Sequence, residues 1–287
     1  MNRKTKYKGA VSLLLLVAML GMLMGLAACG AGAAPAARTG TGESAMPSPE
    51  PAEEVEPTPT PEPTPTPEPT PDLDTPAGRA YAKGLPEPPD VDIDSWEFKL
   101  ANTNNGISEY HIPEYGGIEG QGIDPRIMDQ AYAFVQGARE AGLHAYIAVA
   151  YRNFEFLFML YQNMIAQYGS AAAVAEIYPG AGVSEHQLGL ALDFTDQYGY
   201  SAFYQYFDNT GFKDTELYAW LHEHCAEYGF IDRYPEGKEY YYGTACTEGH
   251  FRYVGEEAAR YIMDNGICFE EFLMLYDPDR VFIPGAD

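Results

Sequence analysis

Basic residues are scarce in this chain. Its 287 residues carry 17 lysines and arginines against 42 aspartates and glutamates, a formal net charge of −25. Such an excess of acid lacks the electrostatic footprint that a phosphate backbone requires, so nucleic acid is excluded as a partner. It equally excludes a polybasic contact with an anionic membrane surface. Cysteine is sparse as well. After Cys29 only Cys225, Cys246 and Cys268 remain, at spacings that match neither a zinc knuckle nor a redox pair. Three buried thiols, or one disulfide with a thiol left over, both fit. The HExxH zincin pattern is also missing. His222-Glu223-His224 approaches it, but position 226 is Ala226, which leaves a solvated helix face. His144, ahead of an apolar stretch, reads as structural, and His111 carries no assignment. Two histidines, His186 and His250, are left to account for.

What is present begins with a basic start, Arg3, Lys4, Lys6 and Lys8, and an apolar run from Ala10 to Leu26. That is the layout of a secretory signal over residues 1–28. The run closes on Leu26-Ala27-Ala28-Cys29, which resembles a bacterial lipobox with Cys29 as the lipidated first residue. An ordinary signal peptide cut elsewhere is the alternative. A retained transmembrane helix fits less well, because the run is short for a span. Cleavage before Cys29 removes four basic residues and no acidic one, taking the net charge from −25 to −29. Residues 29–89 form a tether. It turns from Ala and Gly into PTPTPEPTPTPEPTP over Pro57 to Pro71, a composition that cannot bury a core and favours extended polyproline conformations.

Residues 90–287 form the folded domain, large enough for one sizeable core. Apolar residues at Ile127, Ala131, Phe134, Val135 and Ala138 predict a helix over Arg126 to Ala141, started by Asp124-Pro125 and stopped by Gly142. Leu143 to Ala150 is a buried strand. Phe154 to Tyr168 is a second helix stopped by Gly169. Gly189 to Phe194 is strand-like, Glu216 to Tyr228 a helix ended by Gly229, and Phe230 to Tyr234 and His250 to Val254 are strands. Glu256 to Asn265 and Phe269 to Tyr276 close the chain as helices. The run Tyr240-Tyr241-Tyr242 predicts strand or hairpin packing. The class is α+β, a small antiparallel sheet flanked by helices and preceded by a disordered tether.

The chemistry gathers in SEHQLGLALDF, Ser184 to Phe194, and GHFRYVG, Gly249 to Gly255. Two imidazoles, one carboxylate and an open fourth position make a catalytic zinc site. Strand alternation puts His250 and Arg252 on one face, with Phe251 and Tyr253 on the other. His186 and Asp193 would point to opposite faces of a straight strand. They share a metal only if the chain bends between them, and Gly189 is the place for the bend.

These two motifs resemble those of the VanY-type D-alanyl-D-alanine carboxypeptidases, within the wider hedgehog/DD-peptidase-like (LAS) group of zinc metallopeptidases. Ile118-Glu119-Gly120, Asp124 to Ile127, Ala150-Tyr151-Arg152 and WLHEHCAEYGFIDRYPEGKE (Trp220 to Glu239) extend the likeness across about Phe98 to Asp287. The resemblance implies that His186, Asp193 and His250 bind one zinc ion. It implies that Arg152 holds the substrate's carbonyl or carboxylate end, as a guanidinium does well, and that Ser184 helps place the terminal carboxylate.

Two departures stand out. The family's usual general base, a glutamate three residues before the last histidine, is replaced by Thr247. Glu248 follows, one position off. Either Glu248 serves as base, with Gly249 permitting the backbone that brings it round, or the chain has none. Where relatives carry Ser-Tyr-x-x-Gln after the arginine, this chain has Asn153, Phe154 and Leu157, which makes the adjoining pocket more apolar. The expected protein is a monomeric zinc D,D-carboxypeptidase, lipid-anchored outside the cytoplasmic membrane of a bacterium. It would act on peptidoglycan stem peptides ending in D-Ala-D-Ala. The alternative is a zinc-containing module that binds such peptides or a protein without cleaving them.

Overall fold

The computed structural model describes residues 71–108, 111, 113–175, 178, 180–197, 211–244 and 248–285. Cys29, the signal and the Pro-Thr-Glu repeat lie outside the described residues, as do Cys246 and Thr247. The elements run α1 (Pro76–Ala82), β1 (Gly116–Ile118), β2 (Gln121–Ile123), α2 (Met128–Glu140), β3 (Tyr146–Val149), α3 (Phe154–Tyr168) and α4 (Ala171–Ala175). They continue with β4 (Ala191–Thr195), α5 (Glu216–His224), β5 (Phe230–Asp232), α6 (Glu239–Tyr242), β6 (His250–Tyr253), α7 (Glu256–Asn265) and α8 (Phe269–Tyr276). β3, β4, β6 and β5 form an antiparallel sheet in that order, and β1 and β2 a separate hairpin. The class is α+β, with a small antiparallel sheet between helices.

The helices form where capping and periodicity agree. Asn153 caps α3 by accepting a hydrogen bond from the Phe156 amide at 2.9 Å, and Gly169, at φ 88°, ends it. α2 buries Ala131, Phe134, Val135 and Ala138, one face at helical spacing, against the sheet. Phe134 is the hub of that face. Its ring centroid lies 5.1 to 6.2 Å from those of Phe194, Phe230, Tyr228, Phe251 and Trp220. A second core lies between α7, α8 and the other end of the sheet, around Ile231, Val254, Ile262, Phe269 and Phe272.

Several boundaries differ from expectation. Pro125–Ile127 is a separate 3₁₀ turn ahead of α2, because Asp124 caps the Arg126 amide at 2.9 Å. α5 stops at His224 and tightens into a 3₁₀ turn, Cys225–Tyr228, before Gly229. The run Tyr240-Tyr241-Tyr242 is helical rather than a strand. α6 closes on Gly243 at φ 74°, and the buried Tyr242 donates its hydroxyl to the Pro235 carbonyl at 2.9 Å. Packed structure also starts before Asp90. α1 buries Ala80, and Arg79 Nη2 donates to the Tyr276 carbonyl at 2.7 Å, which fastens the helix to the end of α8.

Among the described residues no helix is long and apolar enough to cross a membrane. Replacing the fully buried Phe134 by alanine should cost about 3–5 kcal/mol, read as a lowered urea midpoint with an unchanged slope.

Candidate metal centre and active site

His186 does not lie on a strand. It occupies a 3₁₀ turn, Glu185–Leu188, and the next residue, Gly189, takes φ 73°. The chain therefore bends where the sequence requires it. The Gly189 carbonyl accepts the Asp124 amide at 3.0 Å, and a Cβ on Gly189 would come within 3.2 Å of that nitrogen. Beyond the bend β4 carries Asp193, which faces His250 of β6 directly in the antiparallel register. His186 Nε2 approaches Asp193 Oδ2 at 3.1 Å, and His250 Nδ1 approaches Asp193 Oδ1 at 2.7 Å. The two imidazoles stand nearly perpendicular, their centroids 4.9 Å apart.

One ligand atom from each of the three side chains lies within 4.8 Å of the other two. Bonds of about 2.0–2.2 Å from a tetrahedral zinc ion hold neighbouring donors about 3–3.5 Å apart, so small adjustments admit the ion. The donor set is also right, two imidazole nitrogens and a carboxylate oxygen. His186 Nδ1 is buried with no hydrogen-bond partner among the described residues, whereas His250 Nε2 has Glu185 Oε2 at 3.3 Å.

Burial disfavours charge on every member, and the members correct one another. Burial raises the Asp193 pKa, but His186 and then His250 hold the carboxyl well below its usual range. Burial lowers the His250 pKa, but Asp193 foremost and then Glu185 outweigh it and hold the ring up at about 9. For His186 burial prevails over Asp193, and the pKa is lowered. Asp193 and Glu185 thus favour a protonated His250 in the metal-free protein.

Arg152 follows β3, and its amide donates to the His186 carbonyl at 3.0 Å, which sets it beside the metal centre. Its guanidinium lies 4.8 Å from the centre of the Phe156 ring. Phe156, on the first turn of α3, is thus an apolar neighbour of Arg152. Ser184 is buried at the head of the turn, where its carbonyl accepts the Gln187 amide at 3.1 Å. Glu248 precedes Gly249, which takes φ 78°, the left-handed backbone expected of it. Glu248 Oε2 accepts the Lys213 amide at 3.0 Å.

Sequence reasoning missed what lies behind the centre. Glu185, Arg233, Arg252 and Glu270 have fully buried side chains. Glu185 Oε1 accepts from Arg233 Nε at 2.8 Å and from Arg252 Nη1 at 2.9 Å. Arg233 Nη1 and Nη2 reach the two oxygens of Glu270 at 2.9 and 2.6 Å. Burial pushes the Glu185 pKa up, but Arg233, Arg252 and His250 hold it well below the usual range. A signal existed: arginines among the apolar residues of FIDR and HFRY, since buried charges need partners. Tyr178 was missed too. It is buried close after α4, within the electrostatic reach of Arg152 and Asp193.

The remaining candidates stay outside the centre. His222 Nδ1 contacts Asp232 Oδ2 at 2.9 Å, and His224 Nδ1 contacts Glu227 Oε1 at 2.9 Å. His144 is exposed, and His111 Nδ1 meets Lys99 Nζ at 2.8 Å. Cys225 and Cys268 are buried free thiols, and burial pushes Cys225 up to about 12, which makes it inert.

A family model described as VanY, D-alanyl-D-alanine carboxypeptidase, matches residues 120–256. A D-alanyl-D-alanine carboxypeptidase of Enterococcus faecalis (strain ATCC 700802 / V583) is 33% identical over 191 residues, 63% of this chain and 67% of the relative. A solved structure of a vancomycin-resistance D,D-pentapeptidase VanY variant, in complex with Zn(II), is 33% identical with a TM-score of 0.54. The match covers 62% of this chain and 99% of that one. VanYB in complex with D-alanine-D-alanine is 32% identical with the same TM-score, 0.54, and is covered to 98% over 62% of this chain.

The proton on His250 makes metal uptake pH-dependent. Below about pH 9 an incoming ion must displace it. The zinc affinity of the metal-free protein should therefore rise by about tenfold per pH unit from about pH 6 to 8 and level off above about 9. Competition with a chelator of known affinity checks this, and a flat profile would speak against His250 as a ligand.

Proposed function

The chain belongs to the VanY family of D-alanyl-D-alanine carboxypeptidases, and we propose that it is a zinc-dependent enzyme that removes the terminal D-alanine from peptidoglycan stem peptides. The observation that carries this reading is the convergence of His186, Asp193 and His250, with Arg152 bonded to the backbone of the same turn. A VanY relative that binds zinc and VanYB bound to D-alanine-D-alanine support the choice of metal and substrate.

His186 Nε2, Asp193 and His250 Nδ1 would hold the ion. When bound, it would supply Lewis acidity toward the scissile carbonyl and a water ionisable near neutral pH. The residues of the chain do the rest. Arg152 grips the terminal carboxylate or the carbonyl oxygen, where a guanidinium donates two parallel hydrogen bonds. Its stacking on Phe156 limits the orientations it can adopt. Ser184, at the head of the same turn, would help place the terminal carboxylate. Glu248 takes the proton of the attacking water and returns it to the leaving amine. The Lys213 amide holds its carboxylate at 3.0 Å.

The sequence ahead of the described residues supports a location as well. Cys29 after Leu26-Ala27-Ala28 is the proposed lipid attachment point, on the outer face of the cytoplasmic membrane. The Pro-Thr-Glu segment would then act as a semi-rigid spacer toward the wall. The domain is proposed to act as a monomer. Cys29→Ala should shift the protein from the membrane fraction to the soluble extracellular fraction without changing its catalytic rate.

D-Alanine release from a D-Ala-D-Ala-terminated stem peptide tests the activity. The zinc-loaded protein should release D-alanine and stop when the metal is chelated. Glu248→Gln should retain zinc but lose about 10²–10⁴-fold in kcat. Zinc binding without release by the wild type would sink the carboxypeptidase reading and leave a peptide-binding role.

A further inference from the structure

The two histidines of the centre are held differently, and the difference assigns a role to a residue that does not touch the metal. His186 has no side-chain partner on its outer nitrogen among the described residues. His250 presents Nδ1 to Asp193 at 2.7 Å and Nε2 to Glu185 Oε2 at 3.3 Å. We propose that Glu185 is a positioning residue. It keeps the proton of His250 on Nε2 and thereby keeps the Nδ1 lone pair aimed at the metal. This inference rests on the reading of His186, Asp193 and His250 as a metal centre.

Glu185 can do this because its own conformation is fixed. Oε1 accepts from both Arg233 and Arg252, so Oε2 is left for the imidazole. An ionised carboxylate has only acceptors to offer. The imidazole nitrogen facing it must therefore carry a proton, and when metal is bound the other nitrogen supplies the lone pair. Outer-shell carboxylates that accept from a ligating histidine raise its basicity and hold its ring orientation. Arg233 is itself held from the far side by Glu270, and Glu270 Oε1 also accepts from Asn102 Nδ2 at 2.7 Å. The support therefore runs from α8 through two guanidinium–carboxylate contacts to the ring.

The substitution Glu185→Gln keeps the shape and changes the pattern of donors. Both arginines require an acceptor, so the amide oxygen takes the place of Oε1. The amide NH₂ then faces His250 Nε2 and demands a lone pair there. The proton moves to Nδ1, the atom meant for the metal.

Two measurements on the full chain test this. The first is the long-range ¹H–¹⁵N spectrum of the zinc-loaded wild type, which should show His250 protonated at Nε2 and unprotonated at Nδ1. The opposite tautomer overturns the proposal, whatever the variant does. The second is zinc affinity by chelator competition, in wild type and Glu185→Gln side by side. The variant should bind zinc about 10–100-fold more weakly. Equal affinity in a folded variant overturns the proposal, because a purely structural glutamate would alter the melting temperature and leave the metal untouched. Failure of the wild type itself to bind zinc is a different result, since it removes the metal centre on which the inference stands. Should Glu185→Gln fail to fold, the wild-type tautomer decides alone.

Discussion

Two carboxylates and two guanidiniums with no exposed side-chain surface, Glu185, Glu270, Arg233 and Arg252, set the geometry on which the metal centre depends. Taking four charges out of water is expensive, and such a cluster survives only when every donor and acceptor is met. Here they are met from distant parts of the chain. Arg252 Nη2 donates to the Glu97 and Lys99 carbonyls at 2.8 and 2.9 Å, which ties the segment before the hairpin to β6. Arg233 joins the end of β5 to α8, and Glu185 joins both arginines to the turn that carries His186. The turn cannot drift from β6 without stranding a buried charge, a loss of about 3–5 kcal/mol. The distance between His186 and His250 is therefore fixed by ion pairs that neither histidine makes alone.

The same constraint shapes the electrostatics. The protein is strongly acidic, and its field opposes the approach of an anionic peptide. Binding such a substrate must rest on local charge, and Arg152 is the cation placed beside the centre. The guanidiniums of Arg233 and Arg252 are already committed to Glu185 and Glu270, so they offset buried carboxylates rather than attract ligands. Charge in the interior serves geometry, and recognition is the role proposed for Arg152.

This division explains how much was legible in the sequence. α3, α7 and α8 could be read end to end, because apolar periodicity marks all three, Asn153 and Gly169 bound α3, Gly255 and Gly266 bound α7, and Cys268 with Glu271 caps α8. The convergence of His186, Asp193 and His250 was legible because they sit in two short motifs, with one glycine where a bend was needed. The cluster behind it was not. Glu185 lies 48 residues from Arg233 and 67 from Arg252, and an ion pair over that separation leaves no periodic trace. The hairpin of β1 and β2 escaped because strands of three residues, two of them glycine in β1, are too short to alternate. The tyrosines of α6 looked like strand residues because aromatic propensity favours strands, and here packing under Pro235 overrides it.

The two candidate histidine ligands are held in different ways. His250 is part of the core: its strand neighbours are Phe251 and Arg252, and its outer nitrogen rests on the buried cluster. His186 is held chiefly through its backbone. Its carbonyl accepts from the Arg152 amide at 3.0 Å and from the Gly189 amide at 3.3 Å. The residue proposed to grip the substrate and one of the metal ligands are therefore fastened to the same turn. Glu185, next to His186 in that turn, ties it to the same buried cluster that meets His250 Nε2, so both imidazoles rest on one set of ion pairs.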